Sequence, residues 1–360
     1  MSFDLQGKFL EIKENWQQLL VTLGIGLVGS LVFVYLKLPL PWIIGALFTT
    51  TCAAMMRVEL WVPNWLRLNA HLILGALFGT SVTPEFLTNF IKWIPSMIAV
   101  TAYVVVVMPP IILYLIRVAK LDIVTAYFSA APGGLVPMAA MGGSVGGDEK
   151  TISLIQSARI IMTVLIIPFS FALWAGYEPT GAVGTGGTFN KLSILDGAIL
   201  LATVIIGYAI ARPLRIPTPY LMGPMIAVAI ISMTGVSSAQ VPDSLAAIAQ
   251  WVIGSNIGTM FNKVKPKVVA LTLIHGSITS VFMVAFATGA AIVTQQLTGQ
   301  SLYGLVLAFA PGGFAEMVLV GFALGIDVTF LVTHQLTRYF FVILTVPIFF
   351  TFVKKRQSGF

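Results

Sequence analysis

Two arginines, Arg159 and Arg338, lie inside long apolar segments, where a permanently charged guanidinium costs at least ~3 kcal/mol to insert. A glutamine precedes each arginine by three residues and an aspartate by eleven, so each set falls on one helical face. Eleven residues of helix cover ~16 Å, about half of a bilayer core, which predicts aspartates near an interface and arginines near mid-depth. The two sets are Asp148, Gln156 and Arg159, and Asp327, Gln335 and Arg338.

The chemistry of these arginines has two interpretations. The planar fork of N–H donors on a guanidinium suits a carboxylate or a phosphate, which indicates that Arg159 or Arg338 binds an anionic substrate. Gln156 and Gln335 would then hydrogen-bond the same ligand. In the alternative, the arginines are structural and are satisfied by local carbonyls or by Glu316.

A Pro-Gly-Gly sequence precedes each arginine and breaks the apolar segment. Such a break frees backbone N–H and C=O groups, and it survives in hydrocarbon only against protein or a water-filled cavity. Freed amides can hold an anion and freed carbonyls a cation, although a kink or close helix packing is the simpler explanation. Two symmetric copies favour a binding element, which we expect to be lined by Pro132, Gly133, Gly134, Pro311, Gly312 and Gly313.

Three carboxylates are candidates for a coupling cation: Glu316, Asp327 and Asp148. Glu316 stands four residues after Gly312, and Pro137 occupies the matching place in the first half. Glu316 could carry a proton, ligate Na⁺ or neutralise Arg338. His334, next to Gln335, is expected to be packed and hydrogen-bonded rather than titrating.

The chain shows no pattern of a metal site or of an enzyme. Its three histidines are scattered and its single cysteine, Cys52, excludes an intramolecular disulfide or a cysteine-based metal cluster. A nucleophile elbow, a phosphate-binding loop and a dinucleotide motif are all missing. We therefore expect no metal, no cofactor and no catalysis.

These motifs belong to a duplication with an offset of about 179 residues. Ala131-Pro132-Gly133-Gly134 recurs as Ala310-Pro311-Gly312-Gly313, and the register then continues without a gap to Pro168 and Pro347. A duplicated membrane domain with glycine breaks and an intramembrane arginine is typical of a transporter.

Composition places the protein in a membrane. Of 360 residues, 58% are hydrophobic and only 9% are charged, against roughly 25% in soluble domains. The net charge of +7 is explained by basic residues in cytoplasmic loops, and no basic-aromatic patch suggests nucleic acid. We expect an all-α polytopic protein of the plasma or inner membrane, in contact with its lipids.

Six apolar segments can be counted in each half, and the basic loops exchange places between the halves. Arg57, Arg67, Arg117 and Lys120 mark loops of the first half whose counterparts carry no basic residue. Conversely, Arg212 and Arg215 stand where the first half has only Lys37, and Lys263, Lys265 and Lys267 where it has only Lys92. The halves should therefore be inverted, with about five crossings each, and the APGG segment should be re-entrant or broken (10–12 segments in all). Both termini then face the cytoplasm.

The expected domain boundaries follow the duplication. They are an interfacial lead-in at 1–15, a first repeat at 16–177, a glycine-rich linker at 178–190, a second repeat at 191–353 and a basic tail at 354–360. A homo-oligomer is compatible with such a fold, although no dimerisation motif stands out.

The doubled APGG, the downstream Asp and the Gln-x-x-Arg-x8-Pro pattern resemble the AbrB-type membrane protein family over nearly the whole chain. Members usually carry a carboxylate soon after APGG, which Glu316 provides in the second half and Pro137 does not in the first. The resemblance implies an architecture similar to inverted-repeat antiporters and anion symporters. The leading hypothesis is a secondary transporter of a small anionic organic solute coupled to H⁺ or Na⁺. The alternative is a membrane-embedded regulator or sensor without transport.

Overall fold

The chain folds into α-helices joined by short connections. The computed structural model describes residues 5–82, 86–175, 193–214, 216, 218–235, 239–262, 264 and 266–357. Within these ranges there are fourteen helices and no strand. In chain order they are α1 Leu5–Tyr35, α2 Pro41–Met55, α3 Asn64–Thr80, α4 Phe86–Arg117, α5 Ile123–Ala130, α6 Leu135–Ser144, α7 Glu149–Ala175, α8 Ile194–Ala211, α9 Pro219–Thr234, α10 Asp243–Thr259, α11 Pro266–Thr298, α12 Leu302–Phe309, α13 Phe314–Ala323 and α14 Val328–Gln357.

Six of the described helices are long and apolar enough to cross a membrane. They are α1, α4, α7, α8, α11 and α14. Their exposed faces carry large apolar side chains such as Leu173, which is 81% exposed, and Ile194, which is 93% exposed. Such side chains are stable against hydrocarbon and not against water. The prediction of an all-α polytopic membrane protein is confirmed.

The sequence duplication is also a duplication of helices. Three helices of the first half, α3, α5 and α6, begin and end 179 residues before α10, α12 and α13. The start of α7 precedes that of α14 by the same number. The first helices differ, because α1 begins at Leu5 and already includes the predicted interfacial lead-in, whereas α8 has 18 residues.

Each APGG segment forms a re-entrant hairpin. Its two ends meet, because the backbone N–H of Asp148 after α6 donates to Thr125 Oγ1 in the first turn of α5 at 2.9 Å. Midway along, a Cβ added at Gly142 would lie 3.2 Å from the Cβ of Phe128. The second hairpin, α12–α13, shows the same pairing, since a Cβ at Gly304 would lie 3.6 Å from Ile326 Cγ2. Five other helices remain in each half, three of them long enough to cross a membrane, and the inversion of the halves stays a prediction.

The helices fall into two compact units, and each unit takes helices from both halves. Unit 1 contains α1–α3 and α8–α10, and unit 2 contains α4–α7 and α11–α14. The repeats therefore do not coincide with the compact units, and the domain boundaries drawn from the duplication stay a prediction. The expected linker at 178–190 lies outside the described residues, as do Arg215, Lys263, Lys265 and the last three residues of the basic tail.

Unit 1 is held together by glycines at helix crossings. A Cβ on Gly45 of α2 would lie 2.5 Å from the carbonyl oxygen of Gly29 on α1. The second repeat has the matching crossing between α8 and α9. There a Cβ on Gly207 would lie 2.5 Å from the carbonyl oxygen of Gly223, and the same distance holds in reverse. Small residues let backbones approach closely, which is the main source of helix association inside a membrane.

Candidate functional site

The tip of the first hairpin exposes backbone carbonyls, and two side chains of α7 satisfy them. The side-chain amide of Gln156 donates to the carbonyls of Phe128 and Ala131, both at 2.9 Å. Arg159 Nη1 donates to the same Ala131 carbonyl at 3.1 Å. The C-terminal end of α5, which carries the negative end of its dipole, is thus covered by an amide and a guanidinium.

The second hairpin repeats this arrangement, but here the arginine donates more of the hydrogen bonds than the glutamine does. Gln335 donates to one carbonyl, that of Leu307, at 2.8 Å. Arg338 donates to the carbonyls of Phe309 at 3.3 Å, of Ala310, and of Gly312 at 3.3 Å. The guanidinium fork of Arg338 therefore spans the whole break.

The three-residue spacing of Gln and Arg has a direct structural reason. In both halves the glutamine Oε1 accepts a hydrogen bond from the arginine Nη2 at 2.5 Å. Residues at i and i+3 lie side by side on a helix, so the pair forms one rigid donor surface facing the tip. Both arginines thus satisfy local carbonyls, the structural interpretation that the sequence left open.

The hydrogen bonds to backbone carbonyls leave the positive charges of the two guanidinium groups without a counter-ion. Arg159 and Arg338 are each only 3% exposed, and among the described residues neither forms an ion pair. The Nε atom of each is buried without a hydrogen-bond partner. The two sites lie close together, because a Cβ on Gly134 at the first tip would lie 3.2 Å from the ring of Tyr339, the residue after Arg338. Unit 2 therefore contains two neighbouring buried positive charges that lack a counter-ion in the described part of the chain.

Glu316 lies at the second tip without reaching Arg338. It occupies the first turn of α13, and its Oε2 lies so close to Gly313 that a Cβ there would collide with it. A carboxylate at this place interacts favourably with the positive end of a helix dipole. The first hairpin has Pro137 instead, and no side chain caps the N-terminus of α6. Only one of the two tips carries an acidic group in its first helical turn.

The predicted coupling residues Asp148 and Asp327 lie at helix starts. The carboxylate of Asp148 accepts from the backbone N–H of Lys150 at 3.0 Å and from Thr151. That of Asp327 accepts from the backbone N–H groups of Thr329 and Phe330 at 2.8 and 3.2 Å. Both aspartates are exposed, as expected for residues near an interface. Each caps the helix that carries its arginine.

We expect Asp148→Ala and Asp327→Ala to destabilise the protein by about 1 kcal/mol each, because each loses an N-cap. Asp148→Asn and Asp327→Asn keep a capping oxygen and should preserve stability. Thermal unfolding of the four variants in detergent measures this. If the asparagine variants unfold as early as the alanine variants, the charge and not the cap is what matters at these positions.

Two residues near the arginines were not found from the sequence, and both lie on α4. The ring of Tyr103 stacks on Phe309 at a centroid distance of 5.8 Å, and its hydroxyl donates to the Met283 carbonyl at 3.0 Å. Ser96 Oγ lies 2.7 Å from Nε2 of the buried His334. His334 is thus packed and hydrogen-bonded, as predicted. The available signal was a polar residue within an apolar helix, which alone does not identify a partner.

Comparison with known proteins agrees with this geometry. A family model described as transition state regulatory protein AbrB matches residues 42–354, which include both hairpins and both arginines. The chain belongs to the AbrB family. The resemblance seen in the sequence is thereby confirmed. In this member, the matched region is a helical membrane structure made of two repeats.

Two AbrB-family relatives match along almost their whole length. An "Uncharacterized protein YhjN" of Bacillus subtilis (strain 168) is 29% identical over 361 residues, covering 94% of this chain and 93% of its own. A "Putative regulator AbrB" of Escherichia coli (strain K12) is 24% identical over 341 residues, covering 94% and 96%. Each relative is therefore aligned with this chain across both repeats.

Proposed function

We propose that this AbrB-family membrane protein is a secondary transporter of a small anionic organic solute. The observation that carries the proposal is the pair of buried, neighbouring guanidinium groups of Arg159 and Arg338, which lack a carboxylate partner in the described structure. Charged groups inside a membrane protein usually mark a substrate or ion pathway. Two positive charges at the tips of two re-entrant hairpins favour an anion.

The donors that an anion would use are present. The Nε–H groups of Arg159 and Arg338 have no partner, and an unsatisfied buried donor costs ~1–3 kcal/mol. The N-terminus of α6 adds backbone amides that no side chain caps. A bound carboxylate or phosphonate would satisfy these donors and offset the repulsion between the arginines. The Gly133 and Gly134 backbone lies beside this N-terminus, as do Gly312 and Gly313 beside that of α13.

Glu316 is the group that we assign to the coupling cation, H⁺ or Na⁺. It is a carboxylate in the first turn of α13, with no ion-pair partner among the described residues. Binding a proton or Na⁺ there would remove a negative charge from the hairpin that also contacts Arg338. The affinity of the site for an anion would then rise with the cation bound, which is the linkage that a symporter needs. Asp148 and Asp327 are left with their capping role.

Counterflow in liposomes tests the proposal. We expect the wild type to exchange labelled anion against unlabelled anion. Arg338→Lys and Arg159→Lys should reduce exchange at least tenfold, because lysine keeps the charge but lacks the fork. Glu316→Gln should retain exchange and lose uptake driven by a cation gradient. Arg57→Lys, at an exposed position, is the matched control and should transport normally.

The second candidate is a membrane-embedded regulator, a function suggested by the name of the Escherichia coli relative. A regulator binds its ligand without moving it. Anion binding that depends on Arg338, together with no counterflow in any lipid mixture, would overturn the transporter proposal in favour of the regulator.

The orientation that we propose places both termini in the cytoplasm of a cell with the protein in its plasma or inner membrane. Support comes from the exposed basic residues at loops on the side of the N-terminus, including Arg57, Arg117 and Lys120. A reporter enzyme fused to the C-terminus, active only in the cytoplasm, checks it.

A further inference from the structure

An apolar groove of about 420 Å³ lies within unit 2, between α4, α5 and α14. Its walls include Val105, Met108, Leu113, Ile123, Phe341 and Phe349. The groove is open to the outside of the helices, because Val105, Leu113 and Phe349 are 52%, 48% and 52% exposed. Its size falls within the roughly 300–1,000 Å³ of typical ligand sites.

The polar groups in the walls leave nothing for a polar ligand to bind. The hydroxyl of Tyr127 donates to the Val346 carbonyl at 2.9 Å, and that of Thr345 donates to the Phe341 carbonyl at 2.7 Å. The occupant must therefore be apolar where it lies in the groove. Since α4 and α14 are membrane-spanning helices, the apolar material that reaches this face is the hydrocarbon of the bilayer.

The length of the groove matches one leaflet. Along α4 it extends from Val104 to Ile116, which are twelve helical steps or ~18 Å apart. Half of a ~30 Å hydrocarbon core is ~15 Å. One acyl chain therefore fits the groove from end to end, with its headgroup at one end.

Two exposed cations stand at the end where α4 passes into α5. Ile116 and Ile123 line the groove at this end. Arg117 follows Ile116 directly, and Lys120 lies in the connection before Ile123. Within the described structure neither cation forms a hydrogen bond or an ion pair. The neighbouring Asp122 directs its carboxylate to the backbone N–H of Thr125 at 2.9 Å and forms no ion pair with either cation in the described structure. Lys120 is held in a left-handed conformation, with φ 57°.

We propose that this groove binds an anionic phospholipid, with one acyl chain along α4 and the phosphate at Arg117 and Lys120. The site is independent of the anion site at the hairpin tips. Its lipid contacts α5, the first arm of a hairpin, and α14, the helix that carries Arg338. Basic residues next to a groove between membrane helices are the usual means of selecting acidic headgroups.

Thermal unfolding in detergent, with added phosphatidylglycerol or with phosphatidylcholine of the same chains, tests the proposal. A ligand of the folded state raises the melting temperature by mass action. We expect a shift several degrees larger with phosphatidylglycerol. Arg117→Gln/Lys120→Gln should abolish this difference, whereas Lys37→Gln/Arg57→Gln should retain it. The control pair also removes two exposed cations, and its Lys37 and Arg57 have φ values of 53° and 64°.

A bulky side chain in the groove tests the contribution of the acyl chain separately from that of the headgroup. Leu113→Trp should remove the phosphatidylglycerol shift, and Val106→Trp, at a position of α4 that is 59% exposed and outside the groove, should not. Lipid bound to the same variants, counted by native mass spectrometry, should fall in parallel. An equal shift from both lipids, a shift reproduced by soluble glycerol 3-phosphate, or an unchanged difference in the Arg117/Lys120 variant would each overturn the proposal. If that variant is itself unstable, Arg117→Lys/Lys120→Arg should restore both stability and selectivity.

Discussion

Arg338→Ala is expected to unfold at a markedly lower temperature than the wild type, by far more than Arg159→Ala. Arg338 donates to three tip carbonyls and to Gln335, and each acceptor that loses its donor costs ~1–3 kcal/mol. Removing a buried charge recovers about 3 kcal/mol on insertion scales. Four lost donors outweigh that gain, so a net loss of several kcal/mol remains. Thermal unfolding in detergent measures it.

The two glutamines should show the opposite order. Gln156 donates to the carbonyls of Phe128 and Ala131, whereas Gln335 donates only to that of Leu307. Gln156→Ala should therefore destabilise more than Gln335→Ala, and Arg159→Ala should be the milder arginine change because it loses one carbonyl contact. Equal effects of the two arginine variants would contradict the assignment of Arg338 as the main donor of its hairpin. Arg57→Ala serves as the exposed control.

Gly45→Leu is expected to disrupt unit 1. Even the Cβ would lie 2.5 Å from the Gly29 carbonyl oxygen and 2.7 Å from the Ser30 Cα, which are backbone atoms that cannot rotate away. The two helices would have to separate, and the hydrogen bond from Ser30 Oγ to the Trp42 carbonyl, 2.9 Å in the wild type, would break. Overpacking costs ~1–3 kcal/mol where side chains can adjust, so a larger loss is expected here.

Gly24→Leu on α1 is the matched control. A Cβ at Gly24 meets nothing within 4 Å, and leucine is a better helix former than glycine by roughly 0.8 kcal/mol. We expect its melting temperature to equal or exceed that of the wild type, and the yield of folded Gly45→Leu in detergent to fall sharply. Similar behaviour of the two variants would show that the α1–α2 crossing is not limited by backbone contact.

The repeat and the donor face could be predicted because both depend on local spacing. The offset of 179 residues recurs in the bounds of α3, α5 and α6, and the three-residue step from Gln156 to Arg159 puts both side chains on one face. Which groups those donors meet depends on where the chain folds back. A re-entrant hairpin and a broken helix contain the same glycines, and contacts between the two arms, such as that between Thr125 and Asp148, distinguish them.

The grouping of helices into units could not be read from the sequence either. The pairing of α1 with α2 is local, but the assignment of α4 and α11 to one unit depends on surfaces far apart in the chain. Tyr103 was missed for the same reason, because its partner Met283 is 180 residues away. The basic loops can be counted locally along the chain, and the orientation that they indicate stays a prediction.

The order of synthesis places each hairpin in the membrane before its donors exist. Gln156 and Arg159 follow Ala131 by 25 and 28 residues, and Arg338 follows Ala310 by 28. A nascent hairpin that ends at its own tip has bare carbonyls, so it must stay in contact with water or with the insertion machinery until the next helix emerges. Release of each half into lipid therefore waits for α7 or α14, and a chain truncated after α6 or α13 should be retained by quality control.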